Sequence, residues 1–406
     1  MRNKVICYGA SDGLRVMYHA VSAIYDIIGI SDSNKEKKSI AEKYGVLYIA
    51  PDDINVNDFD YIIITSSFEN SILQYLLEEL KIRREQIITY SEFLKEQKLE
   101  LGDKNSNQKL YILRGNSAYK GINAMILDYL YCLQSVKEIS DYEVLIDTQN
   151  YTTIYHDETN TGKTNIIEYY FEKIGDISIE DAYQSKNVTL SMCTTTEEMH
   201  KFDYDICFDI QKREQCRKFY KKYFRLNSDM EQVIKEQKEK YIEPYHQKGL
   251  KICAVVDRSF AYNYAKAWGH YVQPDIDYSL KKLDELKGEW GFDIILLDTP
   301  DEEVCIKFKE HFGDLVIATK RTRVSRNFYK TCENICENRE NDKYLQGQEL
   351  LVSRYLLAAC DYFYSGISGS SVLPIVLSEN YNDVYIYENG RFGFEEEAIM
   401  DAPDKK

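Results

Sequence analysis

The chain has 406 residues with 67 acidic side chains against 51 basic ones, and its formal charge of −16 disfavours non-specific binding to nucleic acid or anionic lipid. Hydrophobic residues make up 44%, which excludes a disordered chain and fills the cores of two to three domains. No run reaches the ~18 apolar residues of a membrane helix, and "MRNKVICYGA" enters a strand at once, so we expect a cytoplasmic protein without a signal peptide, at most peripheral to the inner face of a membrane.

The first 97 residues alternate in period. "KVICYGA", "IIGISDS", "VLYIA", "DYIIITSS" and "QIITYS" read as strands, and 12–25, 35–44 and 70–81 as helices. That alternation requires a parallel sheet with right-handed crossovers, a Rossmann-like domain over 1–97. "YGASDGLRV" supplies Gly9 and Gly13 of a G-x-G-x-x-G turn, but Ser11 replaces the middle glycine and Asp12 brings negative charge towards a pyrophosphate. Asp32 ends the second strand, a position suited to a ribose hydroxyl. NAD binding here and a non-catalytic docking or sugar-nucleotide role are both open. The stretch 98–109 is polar and reads as a linker.

A second α/β domain is expected over 110–248. It opens with the strand "LYILRG" and a helix over about 121–138, where Ile122, Met125, Ile126, Tyr129, Leu130 and Leu133 recur at helical spacing. "YEVLIDT" is its next strand, "IIEYYFEKI" a short helix, and 210–247 a charged helical bridge. A third domain covers 249–406, with strands "LKICAVV", "FDIILLDT", "GDLVIAT" and "CDYFYSG", and helices over 302–312, 347–359 and "SVLPIVLSE". Ten cysteines form no extracellular framework, so reduced thiols are expected. Cys332-x3-Cys336 is the nearest approach to a zinc pattern and has no second pair, so no metal is expected.

The chemistry concentrates in the third domain. "CDYFYSGISGSS" passes from a strand into five small residues around Ile367 and then an apolar helix starting near Ser370 or Ser371. Glycines admit a ligand close to the backbone, serines cap the helix, and its start offers unpaired N–H groups and partial positive charge to an anion. Ser368, Gly369, Ser370 and Ser371 are therefore candidate phosphate ligands. An ordinary capped strand-to-helix turn is the plainer alternative. Arg258 stands just past the domain's first strand, placed either to clamp a phosphate or to make a surface salt bridge. Thr299 and Asp301 follow another strand, suited to a ribose or base, or to capping the next helix. His270 lies in the loop "WGHYVQP".

These pieces in this order resemble the donor domain of the fucosyltransferase superfamily: α-1,6-, nodulation and protein O-fucosyltransferases with their bacterial relatives. The middle domain adds "RGNSAYKGINAMILDYLYCLQSV" and "TNIIEYYFE", and the resemblance spans about 109–395. It implies a GT-B pair of Rossmann-like domains preceded by the N-terminal α/β domain, and a metal-independent, inverting transfer of fucose from GDP-fucose to a glycan hydroxyl, in cell-surface polysaccharide or glycoprotein glycan synthesis. It places Arg258 on the donor β-phosphate, His270 in the following loop, Thr299 and Asp301 near the nucleotide, Ser370 and Ser371 at the diphosphate, and Asn123 on the acceptor side. Glu168 and Asp147 are candidate bases for the acceptor hydroxyl. The N-terminal domain resembles the NAD-binding-type domain that precedes nucleotide-sugar modifying and sugar acyltransferase proteins. Where relatives read R-x-T-D, this chain reads Arg258-Ser259-Phe260-Ala261. That departure keeps two other readings open: an NAD(P)-dependent nucleotide-sugar oxidoreductase or epimerase, and an inactive glycan-assembly binding module.

Overall fold

The computed structural model describes residues 2–115, 120–136, 138–157, 159–191, 204–266, 268–325 and 339–394. They form an α/β protein built on three largely parallel sheets. The first comprises β1 (Lys4–Tyr8), α1 (Asp12–Ile24), β2 (Asp26–Ser31), α2 (Lys38–Tyr44), β3 (Leu47–Tyr48), β4 (Tyr61–Ile64), α3 (Glu69–Glu78), β5 (Ile87–Ile88) and α4 (Tyr90–Leu94). Its strand order is β3-β2-β1-β4-β5, all parallel, the doubly wound arrangement that strand–helix alternation predicts.

The second sheet holds β6 (Gln97–Leu99), β7 (Leu110–Arg114), β8 (Glu143–Asp147) and β9 (Val188–Leu190), in the order β6-β9-β7-β8. The helices of this stretch are α5 (Ile122–Ser135) and α6 (Ile179–Ala182). Three helices follow: α7 (Ile210–Tyr223), α8 (Ser228–Tyr241) and α9 (Glu243–His246). The third sheet contains β10 (Ile252–Val256), α10 (Ser259–Ala265), α11 (Ile276–Trp290), β11 (Ile294–Asp298), α12 (Glu302–Phe312), β12 (Val316–Ala318), α13 (Asp342–Leu357), β13 (Tyr362–Gly366), α14 (Gly369–Leu377) and β14 (Asp383–Tyr387). Its order, β12-β11-β10-β13-β14, is again doubly wound and parallel. Both faces of its central strands are buried, so those strands read as unbroken apolar runs.

The chain clusters into two compact units: Met1–Lys120 with Ser135–Glu168 and Lys173–Thr195, and Gly121–Gln134 with Tyr169–Glu172 and Thr196–Lys406. The first two sheets thus share one unit. Tyr151, in the loop after β8, is buried in the core beneath α1, and Ala23 and Ile24 of α1 pack on the core of the second sheet. Thr152 adds a hydroxyl bond of 2.9 Å to the Arg15 carbonyl.

Two sequence readings change here. The polar stretch 98–109 is not a free linker. Lys98 and Leu99 pair antiparallel with Thr189 and Val188, and the N–H groups of Leu101, Gly102 and Lys104 bond to Ser185 and Gln184. The ladder is made of backbone, so polar side chains conceal it from a hydropathy pattern. "IIEYYFEKI" makes only a 3-10 turn at Ile166–Tyr169, because Phe171 then bridges to Leu226 and Glu172 donates to the Arg225 carbonyl.

Gly13 explains half of the degenerate glycine motif. A Cβ there would lie 2.4 Å from the Thr65 carbonyl oxygen, so α1 sits against the end of β4 at glycine-only distance. Gly13→Ala is expected to cost about 1–3 kcal/mol by overpacking, read as a lower urea midpoint at unchanged slope.

Candidate functional site

The third sheet reverses direction between β10 and β13, and ligands in such sheets bind outside the carboxyl ends of the strands at that switch. There Val256 pairs with Asp298 on one side and Ser365 on the other, so the loops carrying Arg258, Thr299 and Ser368 leave the sheet at one level. Three of the small residues at the end of β13 and in the turn after it have a local cause. Gly366 is required because a Cβ would meet Gln273 Oε1 at 2.4 Å. Gln273, buried, comes from "GHYVQP" and donates from Nε2 to the Ile367 carbonyl at 2.7 Å, pinning the turn. Ser368 is the N-cap and forms a capping box with Ser371. The helix therefore begins at Gly369, slightly earlier than the sequence suggests. Among the described residues the N–H groups of Gly369 and Ser370 have no hydrogen-bond acceptor.

Pro374 lies inside α14 and cannot donate to the carbonyl four residues back, that of Ser370. Arg354, fully buried on α13, fills the gap: its Nη1 donates to Ser370 O at 2.6 Å and its Nη2 to Asp298. Asp298 also accepts from Thr319 Oγ1 at 2.9 Å and from Arg321 Nη1 at 3.1 Å. Burial pushes the Asp298 carboxyl up, but the guanidinium groups of Arg354, Arg321 and Arg258 outweigh it and hold it well below the usual carboxylate range. Three cations thus act on one carboxylate. The Nε–H groups of Arg258 and Arg321 are buried with no acceptor among the described residues. Burial pushes the neighbouring Asp257 carboxyl up to about 6, against two bonds from Ser259.

A cavity of about 130 Å³ opens beside the start of α14. Ser368 and Gly369 form one wall and Ala124, Leu127 and Asp128 of α5 another. Tyr204, Tyr262, His270 and Tyr271 line the rest, with Arg391. The His270 ring tilts against Tyr262 at 4.9 Å, and the Arg391 guanidinium lies 5.7 Å over Tyr271. Aromatic faces with a cation and hydroxyls suit a sugar ring.

Of the residues singled out from sequence, His270, Ser368 and Gly369 line this cavity. Arg258 is brought to the charge cluster around Asp298, to which Ser370 is tied through Arg354. Ser371 is consumed in the capping box. Thr299 and Asp301 are buried and engaged in capping: Thr299 Oγ1 accepts from Asp301 N, and Asp301 Oδ1 from Val304 N at 2.9 Å. Asn123 is buried in the first turn of α5 with its Oδ1 unbonded among the described residues.

The two proposed bases fare differently. Asp147 is fully buried, and its oxygens accept from Asn150 N and Nδ2 and from Tyr183 Oη at 2.8 Å. Burial raises its pKa, and with both oxygens held it fixes the loop after β8 and offers nothing to an acceptor. Glu168 is exposed and accepts from Asn165 Nδ2 at 2.9 Å. In the first sheet Gly9 has a φ of +110°, the turn conformation its motif needs. Asp32, however, accepts from Ala10 N at 2.7 Å and Asn34 N at 2.8 Å, so its carboxylate closes its own loop. Cys332 and Cys336 lie outside the described residues.

Arg321, Arg354, Asp257 and Asp128 escaped the sequence reading, though each left a trace. "ATKRTRV" packs three cations just past an apolar strand, Arg354 is a buried cation in its helix, and Asp128 is the one charge in the buried stripe of α5. A charge in such a stripe needs a partner or a task.

Residues 1–88 match the family described as C2185-like, N-terminal. No curated protein matches the chain. Among solved structures it is similar to the NodZ alpha-1,6-fucosyltransferase soaked with GDP-fucose, at 14% identity and a TM-score of 0.42, over 74% of this chain and 100% of that one. The fucosyltransferase NodZ from Bradyrhizobium is similar at 13% and 0.41, over 70% and 97%. A point variant of FUT1 from Arabidopsis thaliana in complex with GDP is similar at 9% and 0.39, over 72% of each chain.

Arg354→Met strands Ser370 O and removes one of the cations on Asp298. It is expected to destabilise by about 3–5 kcal/mol, measured by urea unfolding. For Asp257 the folded pKa lies above the ordinary 3.8, so the fold prefers the neutral acid and stability falls as pH rises from about 4 through 6. Asp257→Asn keeps the Oδ1 acceptor and loses that penalty. It should match wild type near pH 4 and exceed it by on the order of 3 kcal/mol above pH 7, seen in paired thermal melts across pH.

Proposed function

We propose that the chain is a glycosyltransferase that moves a sugar from a nucleoside diphosphate to a glycan hydroxyl, with GDP-fucose the donor that the sequence motifs favour. One observation carries the reading. The guanidinium groups of Arg258 and Arg321, whose Nε–H donors are unused, gather on Asp298 at the switch point of a doubly wound sheet, and Arg354 ties Asp298 to a helix start whose first N–H groups are open. Such a site asks for an anion with more than one charge. A diphosphate fits it, and the adjoining aromatic cavity fits the attached sugar.

In transfer, negative charge grows on the departing diphosphate. Arg258 and the N–H groups of Gly369 and Ser370 would hold that charge without reorganising, since Arg354 fixes the helix start from inside. The resemblance implies inversion at the sugar carbon by a direct displacement that needs no metal. Polysaccharide or glycoprotein glycan assembly in the cytoplasm is the setting we assign to it.

GDP should raise the melting temperature of the full chain, and UDP and NAD should raise it less. Arg258→Ala is expected to weaken GDP at least about tenfold, the loss of one charge-assisted bond. Equal GDP binding by wild type and Arg258→Ala would show that the diphosphate rests elsewhere.

A further inference from the structure

The loop after β12 is held at both ends and leaves its side-chain donors unused. Thr319 N donates to Leu297 O at 2.9 Å, and Val324 N donates to Pro300 O at 2.9 Å, so 320–323 is strapped to the end of β11. Between those anchors Arg321 Nε, Thr322 Oγ1 and Arg323 Nε are all buried with no partner among the described residues. Buried donors left unpaired are costly. Arg321 is the one that faces the charge cluster. Its Nη1 alone serves Asp298, at 3.2 and 3.1 Å from the two carboxylate oxygens. The other edge of the guanidinium, Nε with Nη2, is the parallel pair that matches two oxygens of a phosphate. Asp298 does not need this cation, since the buried Arg354 already pairs with it. Burial and the guanidinium groups of Arg258 and Arg354 oppose the charge on Arg321, and only Asp298 supports it.

The strand order gives the ligand a direction. Along the carboxyl edge, β12-β11-β10-β13 presents Arg321, then Asp298, then Arg258, then the start of α14. The aromatic cavity lies at the α14 end, and its lining includes neither Arg258 nor Arg321. A sugar in that cavity puts the phosphate attached to it at α14 and Arg258. The next phosphate then falls towards β12. We propose that Arg321 seats the α-phosphate of the donor through Nε and Nη2, with the nucleoside beyond it towards β12, an inference that rests on the donor assignment above.

Guanosine, GMP and GDP separate the two phosphates, each measured on the full chain by competition against a fluorescent GDP. Wild type should bind GMP at least about tenfold more tightly than guanosine, the gain from charge-assisted bonds to one phosphate. Arg321→Lys keeps a cation for Asp298 but cannot offer a parallel pair of donors. It should lose most of the advantage of GMP over guanosine and bind guanosine as wild type does. Arg258→Ala should weaken GDP and leave GMP unchanged. Wild type that binds GDP but holds GMP no better than guanosine overturns the proposal, and this arm needs no variant to fold. So does Arg321→Lys with unaltered GMP binding, or with guanosine weakened as much as GMP, which marks a structural role. An Arg258→Ala variant that loses GMP as Arg321→Lys does overturns the direction along the edge and the proposal with it. Wild type that does not bind GDP at all overturns the donor assignment itself.

Discussion

The third sheet depends on one buried side chain, Arg354. A proline within α14 deprives the Ser370 carbonyl of its helical partner, and a guanidinium from α13 takes that place while holding Asp298 at the end of β11. Three elements that meet only at the carboxyl edge of the sheet are thereby locked to each other. The far end of the same helix is also gripped by an arginine, since Arg217 Nε donates to Val376 O at 2.7 Å. A cation at a helix C-terminus is electrostatically favoured. The one at the start is not, and it persists because Asp298 neutralises it in a site closed to water.

That arrangement leaves the helix start rigid and positively charged. Its N–H groups already point outward and the turn is pinned by Gln273, so little would remain to be ordered when an anion arrives. Burial raises the nearby Asp257 carboxyl to about 6, so at neutral pH it still carries its negative charge beside the arginines. The aromatic cavity adjoins this charged region and the charged cluster lies largely outside it, a division matching a ligand with an ionic head and a carbohydrate body.

Much of this was legible in the chain itself. Both doubly wound sheets follow from strand–helix alternation, because period is a local property. The small-residue turn identified α14's start to within a residue or two, since glycine and serine have few reasons to cluster between a strand and an apolar helix. Illegible were features made by pairing at a distance. β9, three residues long, escapes periodicity, and the ladder over 97–99 is backbone alone. Thr299 and Asp301 read equally as ligands or caps and the structure shows the capping bonds, as spacing cannot tell a hydroxyl that bonds its own helix from one that faces a cleft. Asp147 looked available because sequence does not show Asn150 and Tyr183 closing over it.

The shared core of the first two sheets bears on how this polypeptide can be divided. With Tyr151 seated under α1 and the 160s turn closing so tightly on it that a Cβ at Gly162 would strike the His19 ring, the leading α/β layer is a structural wall of its neighbour rather than a detachable module. Cutting at residue 97 would bare apolar surface on both fragments. A minimal working version of this molecule therefore keeps its N-terminal hundred residues, whatever those residues bind.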